Sequence, residues 1–426
     1  MQYQEFLDHI YQKYSGNVKL ELNRMIGLLA DMGNPELSLT GFHIGGTNGK
    51  GSVSATLEAL CLEHGLHPGL NTSPHLINYT ERFRIDGKEA AFETVLSYFH
   101  RFETLFEKWD ASFFEITTAI AFAMFSDAKV QTAVMEVGLG GRLDATNLFI
   151  PDIAIITNIG LDHVKTLGGT KEIIAGEKAG IIKNQVPVVL GDMEESPREI
   201  IEAVAFAKQA PVYRYGRDWQ ASISKDDVSG MNFNYSFGEY HYDNLYANLI
   251  GEHQAINLGT ALTAFLLYAK KHSIVPRESA IRKALQTINW QGRMQVLSTS
   301  PILIIDGAHN VHGVQALTKT LDKMFPKRKL RFLISILGDK DYSEMISLFC
   351  ESAEVIYIAA NKSDRAATVE EQVAAIKKHE VPFKTADSVA EALQLALSEC
   401  NSGDVLVAGG SLYTVGEVIQ AFKTNA

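Results

Sequence analysis

From about residue 40 onward, the sequence alternates short apolar runs with longer amphipathic segments. The runs 131–138 (QTAVMEVG) and 152–160 (DIAIITNIG) are typical of buried strands, because β-branched residues are frequent in them and each run leads to a glycine. Strands that alternate with amphipathic helices indicate a parallel sheet covered by helices. The pattern therefore predicts an α/β fold with ligand sites in the polar loops at the strand ends.

A second alternation begins after Pro301, with strand-like runs at 302–306, 330–335, 354–359 and 403–410. Between the two alternations, the aromatic-rich segment 218–248 predicts a small antiparallel region, and helices are expected at about 253–271 and 278–288. We therefore expect an N-terminal P-loop-type domain with a mostly parallel sheet over residues 1–294. A smaller, Rossmann-like α/β domain should occupy residues 295–426.

The net charge and the cysteines indicate which partners and which cell compartment to expect. The net charge of −11 disfavours a general electrostatic attraction to nucleic acid or to an anionic membrane. Three scattered cysteines predict reduced thiols in a cytoplasmic protein. The apolar stretch 116–125 is far shorter than the roughly 20 residues that span a bilayer. We expect a soluble, cytoplasmic monomer without an export signal.

A glycine-rich segment, 44–52 (IGGTNGKGS), lies between a predicted strand and a predicted helix. Backbone N–H groups of such a loop and the following helix N-terminus bind phosphates, and Lys50 would face the β- and γ-phosphates. The segment departs twice from the usual phosphate-loop template, with Ile44 at the first glycine position and Gly51 inserted after the lysine. The order of strand, loop, lysine and helix favours a nucleotide site over a flexible turn with a surface lysine.

Several longer motifs follow one another along the chain. They are GTNGKGS (46–52), SPHL (73–76) with Glu81-Arg82, EVGLGGRLDATN (136–147), LDH (161–163), EKAGIIK (177–183), HQAIN (253–257), QGR (291–293) and DGAHN (306–310). Together they resemble the folylpolyglutamate synthase and dihydrofolate synthase family of the Mur ligase superfamily. The resemblance covers residues from about 20 to about 415, and its motifs occur in the family's order.

The resemblance implies a reaction in which ATP phosphorylates a substrate carboxylate and the amine of L-glutamate attacks the acyl phosphate. Dihydropteroate and reduced folates would be the carboxylate donors, and the Asp144-Ala145 pair resembles the pattern of the bifunctional enzymes. Three alternatives stay open: a folylpolyglutamate synthase without dihydrofolate synthase activity, another Mur-type amino-acid ligase, and a non-catalytic nucleotide-binding regulator.

The resemblance also implies roles for individual residues. Lys50, Lys178 and His309 would be catalytic. Lys178 would be carbamylated, which converts a cation into a carboxylate-like ligand for a second Mg²⁺, and K⁺ is a further expectation. The implied ATP-binding residues are Thr47, Asn48, Gly49, Lys50, Gly51, Ser52, Asn257, Arg293 and Asp306. The implied metal ligands are Ser73, Glu136, His163 and Lys178.

The substrate contacts are carried over in the same way. The implied pterin or folate contacts are Leu22, Asn23, Arg24, Phe113, Phe114, Glu115, Leu143, Asp144 and Ala145. His309 and Ser411 are expected to contact glutamate for a different reason, because both are polar residues at predicted strand ends of the second domain. Read without the resemblance, Phe113 and Phe114 fit core positions equally well, and a strand-end aspartate such as Asp306 fits a helix cap.

Overall fold

The computed structural model describes residues 1–14 and 21–425. The chain divides into two compact units. The first comprises Met1–Ser222, Asn234–Leu245 and Ile256–Ile288, and the second comprises Ile223–Phe233, Tyr246–Ala255 and Asn289–Ala426. The boundary at residues 294 and 295 remains a prediction. None of the helices in the described ranges combines the length and hydrophobicity that a bilayer span requires.

An eight-stranded sheet forms the centre of the first unit, in the order β4-β3-β2-β5-β1-β6-β7-β8. Its strands are β1 (Gly41–Gly45), β2 (Pro68–Asn71), β3 (Phe83–Ile85), β4 (Lys88–Glu89), β5 (Thr132–Glu136), β6 (Ile153–Ile156), β7 (Val188–Leu190) and β8 (Val212–Arg214). Neighbouring strands in the series β2-β5-β1-β6-β7-β8 pair in parallel. At one edge of the sheet, β3 pairs antiparallel with β2, and β4 pairs antiparallel with β3.

Helices follow most of these strands. They are α1 (Tyr3–Tyr14), α2 (Asn23–Asp31), α3 (Lys50–Glu63), α4 (Phe92–Lys108), α5 (Phe113–Asp127), α6 (Val164–Leu167), α7 (Lys171–Ala179) and α8 (Glu195–Ala207), followed by α9 (Glu252–Lys271) and α10 (Glu278–Gln286). Three short 3₁₀ helices lie at Pro35–Ser38, Tyr79–Arg82 and Ala145–Leu148. The apolar stretch 116–125 lies inside α5 and is buried on all sides, which explains its hydrophobicity without a membrane.

Segment 219–247 forms a three-stranded sheet of β9 (Trp219–Asp227), β10 (Gly230–Phe237) and β11 (Tyr240–Ala247). Two-residue turns join these strands, so neighbours run antiparallel, as the aromatic alternation predicted.

The second unit contains a six-stranded sheet in the order β12-β13-β17-β14-β15-β16. Its strands are β12 (Gln295–Thr299), β13 (Ile302–Asp306), β14 (Leu330–Ile334), β15 (Ala353–Ile358), β16 (Phe383–Thr385) and β17 (Val405–Gly409). Its helices are α11 (Val311–Met324), α12 (Tyr342–Ser352), α13 (Val369–Ile376), α14 (Val389–Ser398) and α15 (Leu412–Asn425). All strand pairs are parallel except β12–β13, and the predicted fold class is confirmed.

Four neighbouring parallel strands of the first unit, β2, β5, β1 and β6, end at the same edge of their sheet. The loops that follow them are the glycine-rich loop, SPHL, EVGLGGRLDATN and the segment ending in LDH. Four motifs that are far apart in sequence are therefore brought to one edge.

Candidate active site

The glycine-rich loop needs glycine at two positions for steric reasons. Gly46 has φ +139°, and a Cβ there would lie 1.9 Å from the Thr157 Oγ1. Gly49 has φ +84° and precedes α3, and a Cβ there would lie 2.4 Å from Oδ1 of Asn257, which is buried on α9. These backbone conformations and close approaches exclude side chains, so the loop lies directly against its neighbours.

Residues after β6 hold the loop in place. The backbone N–H of Thr47 donates to the Asn158 carbonyl oxygen at 3.0 Å, and the N–H of Asn48 donates to the Asn158 Oδ1 at 2.9 Å. The Thr157 hydroxyl donates to the Asn48 carbonyl oxygen at 2.6 Å. The sequence analysis missed Thr157 and Asn158. The available signal was the polar Thr-Asn pair that directly follows the apolar run of β6.

Two lysines converge on one carbonyl group of this loop. The Lys50 Nζ donates to the carbonyl oxygens of Gly46 and Thr47, each at 3.2 Å, and the Lys178 Nζ donates to the Gly46 oxygen at 2.8 Å. Burial, and then the nearby charge of Lys50, lowers the pKa of Lys178 to about 7. The structure thus brings the two predicted catalytic lysines together and gives Lys178 a substantial neutral population near pH 7.

Two of the predicted metal ligands are in direct contact. Glu136 ends β5 with a buried side chain, and its Oε2 accepts the backbone N–H of Ser73 at 3.1 Å. His163 lies between β6 and α6, and its side chain is 40% exposed. The backbone N–H of His163 donates to the Asp162 Oδ1 at 2.8 Å. Within residues 1–14 and 21–425, no three His, Cys, Asp or Glu side chains form a metal-binding group on their own.

Asp144, a predicted pterin contact, uses its carboxylate inside its own loop. Its Oδ1 accepts the N–H of Thr146 at 3.0 Å and the Thr146 hydroxyl at 2.5 Å, while its Oδ2 accepts the N–H of Leu139 at 2.8 Å. Burial raises the pKa of Asp144, and these hydrogen bonds oppose that shift. The geometry gives Asp144 the role of shaping the loop that also carries Leu143 and Ala145; their contacts with a pterin remain predictions.

Two of the three predicted pterin segments are in direct contact. Arg24, beside Leu22 and Asn23 at the start of α2, donates from Nε at 3.3 Å and Nη2 at 3.1 Å to the carboxylate of Glu115 in α5. Phe114, in the same segment as Glu115, packs on Gly138, where a Cβ would lie 2.3 Å from the Phe114 ring. Gly138 lies in the loop that leads to the third segment, residues 143–145.

Phe113 already has ring partners. The Tyr11 ring stacks on it with centroids 4.8 Å apart and planes 21° apart, and the Arg82 guanidinium lies 5.3 Å from the Phe113 centroid. Phe113 and Phe114 are both half-buried at the start of α5. They therefore combine packing with partial exposure, and stacking of Phe113 on a substrate ring remains a prediction.

In the second unit, three predicted residues gather around Gly307. The Asp306 carboxylate accepts the N–H groups of Met294 at 2.9 Å and Ala308 at 2.8 Å. A Cβ at Gly307 would lie 2.8 Å from the Arg293 Nη1. The His309 Nδ1 lies 2.9 Å from the Gly307 carbonyl oxygen and must carry the proton, since that oxygen can only accept.

Ser411 follows β17, at the predicted strand end of the second unit, and its side chain is buried. Its hydroxyl lies 2.7 Å from the Thr414 Oγ1 and 3.2 Å from the Asn361 Nδ2. Asn361 also donates to Ser335 at 3.1 Å, so Ser411 belongs to a buried polar network at the carboxyl ends of β14, β15 and β17. Contact between Ser411 and glutamate remains a prediction.

Replacing Gly46 should damage the loop while every predicted catalytic side chain is retained. We expect Gly46→Ala to lower the melting temperature and weaken Mg·ATP binding, because the new methyl group would overlap the Thr157 hydroxyl and the positive φ adds strain of about 1–3 kcal/mol. Calorimetry and equilibrium nucleotide binding measure both effects.

Gly176→Ala is the matched control for this change. Gly176 lies within α7 and a Cβ there would meet nothing within 4 Å. Alanine should stabilise that helix by about 0.5–1 kcal/mol. If Gly46→Ala were as stable and as competent in nucleotide binding as Gly176→Ala, the loop geometry described above would be incorrect.

Family comparisons agree with this arrangement. Residues 44–265 match the Mur ligase middle domain, and residues 292–412 match the Mur ligase glutamate ligase domain. The fold, together with the glycine-rich loop at the edge of the first sheet, thus defines a protein of the Mur ligase class.

Full-length relatives narrow the class further. The dihydrofolate synthase/folylpolyglutamate synthase of Bacillus subtilis (strain 168) is 31% identical over 430 residues, which cover 99% of each chain. The chain therefore belongs to the dihydrofolate synthase/folylpolyglutamate synthase family.

Solved structures agree over nearly the whole chain. Mycobacterium tuberculosis folylpolyglutamate synthase complexed with ADP has a TM-score of 0.93 at 31% identity and 99% and 98% coverage of the two chains. The E. coli FolC protein in complex with DHPP and ADP has a TM-score of 0.90, 31% identity and coverages of 100% and 98%. The bifunctional enzyme of Yersinia pestis complexed with AMPPNP and Mn ion has a TM-score of 0.89, 31% identity and coverages of 99% and 98%.

Proposed function

We propose that this protein is an ATP-dependent ligase that joins L-glutamate to the carboxylate of dihydropteroate and of reduced folyl(poly)glutamates. The observation that carries the proposal is the convergence of Lys50 and Lys178 on the Gly46 carbonyl, at the sheet edge where Glu136 and Ser73 also meet. Membership of the family supplies the substrate class.

The proposed reaction has two steps, phosphoryl transfer and amide formation. A carboxylate oxygen of the donor bonds to the γ-phosphorus of ATP, and the bond from that phosphorus to the β,γ-bridging oxygen breaks, so ADP leaves. The glutamate amine then bonds to the acyl carbon, the acyl carbon–oxygen bond breaks with release of phosphate, and the amine loses a proton. Phosphoryl transfer depends on positioning and charge neutralisation, which Lys50 and the N–H groups of Gly49 to Ser52 are suited to provide.

The side chains at this edge fit a magnesium ion. Glu136 offers a buried carboxylate that accepts the backbone N–H of Ser73. The side-chain hydroxyl of Ser73 is a second oxygen donor for a metal ion. Such oxygen donors suit a hard divalent cation, and His163 would be a less typical ligand. A bound Mg²⁺ would neutralise phosphate charge during transfer. In this proposal, Ser73, Glu136 and His163 hold one ion.

Carbamylation of Lys178 is the second part of the proposal. A buried amine with a pKa near 7 supplies the neutral form that carbon dioxide requires, and the carbamate would join a second Mg²⁺ site. K⁺ would be an additional ion. Asn257 in the first unit and Arg293 and Asp306 in the second unit are proposed as nucleotide-binding residues, and His309 is proposed to contact glutamate during amide formation.

Glutamate-dependent release of ADP tests the function. Purified protein with ATP and Mg²⁺ should release ADP with either dihydropteroate or a reduced folate monoglutamate, and only when glutamate is present. Release with the reduced folate alone would restrict the protein to folylpolyglutamate synthase activity. Release with neither donor would contradict the proposal and leave another Mur-type substrate or a nucleotide-binding regulator.

A further inference from the structure

Lys183 lies beyond α7 and directs its ammonium group at a single residue. Its Nζ donates to the backbone oxygen of Asn147 at 2.6 Å and to the Asn147 Oδ1 at 2.9 Å. Burial, and then the charge of Lys208, lowers the pKa of Lys183 to about 8. A half-buried ammonium loses hydration, and these two oxygens replace part of it.

The side chain of Asn147 also forms hydrogen bonds to two other segments. With its Oδ1 facing Lys183, its Nδ2 donates to the Arg142 carbonyl oxygen at 2.9 Å and to the Gly180 carbonyl oxygen at 3.2 Å. The opposite amide orientation would place the amide nitrogen against the ammonium and the amide oxygen against two carbonyls, so the orientation is fixed. We name Arg142, Asn147, Gly180 and Lys183 the Asn147 clamp.

The clamp holds loop 138–147 against the helix turn that carries Lys178. The Arg142 N–H donates to the Glu177 carbonyl oxygen at 2.7 Å, and the side chains of the two residues form an ion pair at 2.7 Å. A Cβ at Gly141 would lie 2.9 Å from the Lys178 carbonyl oxygen. The loop backbone and the Lys178 backbone are therefore in contact, and a shift of one would displace the other.

A separate set of contacts anchors the inner part of this loop to β1. Because Thr146 donates its hydroxyl proton to Asp144, the His43 Nε2, 2.8 Å from the Thr146 Oγ1, must be the donor in that contact. Burial, and then the Lys183 charge, lowers the pKa of His43 to about 3, so His43 stays neutral. Loss of the clamp should therefore loosen the loop at Arg142 and leave Leu139 and Thr146 held by Asp144.

We propose that Lys183 is a positioning residue that, through Asn147, fixes loop 138–147 relative to Lys178. The inference rests on the proposed function, because that function places the loop beside the carboxylate donor and Lys178 beside the phosphates. Hydrogen exchange of individual amides tests the positioning without turnover.

Three variants of the full chain test this role. Lys183→Met removes the ammonium and keeps the side-chain length, whereas Lys183→Arg keeps donors for both Asn147 oxygens. Lys208→Met is the matched control, because Lys208 donates to the Ile182 carbonyl oxygen, beside the clamp but outside it. Each variant is assayed for kcat, for KM of the reduced folate, for Mg·ATP affinity and for amide exchange.

We expect Lys183→Met to lower kcat/KM for the reduced folate about ten- to a hundredfold, since small misplacements of reacting groups have effects of this size. Mg·ATP affinity should stay within about twofold of the parent, because the phosphate-loop contacts are separate. The Arg142 amide should exchange about tenfold faster while Leu139 stays protected. Lys183→Arg should restore most of the activity, and Lys208→Met should match the parent protein.

Other results would overturn the inference. Unchanged kcat/KM with slow exchange at Arg142 would show that Lys183 does not position the loop. Equal losses of Mg·ATP affinity and activity would indicate general destabilisation. If the parent protein lacked ligase activity, the proposed function would fail, but the exchange at Arg142 would still decide whether Lys183 holds the loop.

Discussion

Replacement of Lys50 by methionine is expected to lower kcat about a hundred- to a thousandfold, the effect of removing one preorganised charge from a transition state. The Lys50 Nζ donates to two loop carbonyl oxygens, at 3.2 Å each. An ammonium group has three donors, so a third can serve a phosphate oxygen. The fold should survive, because the loop is held mainly by Thr157 and Asn158. Steady-state ADP release and the melting temperature measure the two quantities.

Lys270→Met serves as the control, because Lys270 is an exposed residue near the end of α9. It should leave both the rate and the melting temperature unchanged. A Lys50→Met protein with a near-normal rate would show that the glycine-rich loop is a turn with a lysine and not the phosphate site.

Replacement of Lys178 by alanine should lower kcat about a hundredfold if the carbamate forms, because a charged group near the phosphates would be lost. A short carboxylate such as acetate, added at millimolar concentration, should restore part of the rate by occupying the space of the missing side chain. The same addition to Lys50→Met should restore nothing, since that variant lacks a cation. Loss of activity without restoration in Lys178→Ala would mean that the lysine acts as an amine.

Carbamylation of Lys178, as proposed, predicts the direction in which recovery of activity changes with pH. Carbon dioxide adds to the neutral amine, whose fraction rises as the pH rises through about 7. Protein depleted of carbon dioxide should therefore regain activity faster at pH 8 than at pH 6 when both solutions are equilibrated with the same partial pressure of carbon dioxide, with assays run at one common pH. Equal recovery at both values would contradict carbamylation of this residue.

The sequence was sufficient for the features that depend on local pattern. Strand-like runs predicted β1, β5 and β6 in the first unit and β13, β14, β15 and β17 in the second, but not the three-residue strand β16. The same runs predicted that ligand sites lie in the polar loops at the strand ends. Gly46 and Gly49 were recognisable because positive φ and close approach select glycine.

Side-chain direction could not be predicted in the same way. Asp144 lies in the loop after β5, and Asp306 is the last residue of β13. At such positions a carboxylate serves a ligand or the local backbone equally well, and both side chains accept backbone N–H groups. The Arg24–Glu115 pair joins residues 91 positions apart. No spacing rule identifies such a pair, because it depends on how α2 packs near α5.

The position of β1 in its sheet has a consequence for biosynthesis. β1 pairs with β5 on one side and β6 on the other, and its following loop is bonded to Asn158. During translation, Lys50 leaves the ribosome long before either neighbouring strand has been made. Both hydrogen-bonding edges of β1 therefore stay unpaired until the nascent chain is more than a hundred residues long. At that stage, exposed strand edges can associate with other chains or bind chaperones.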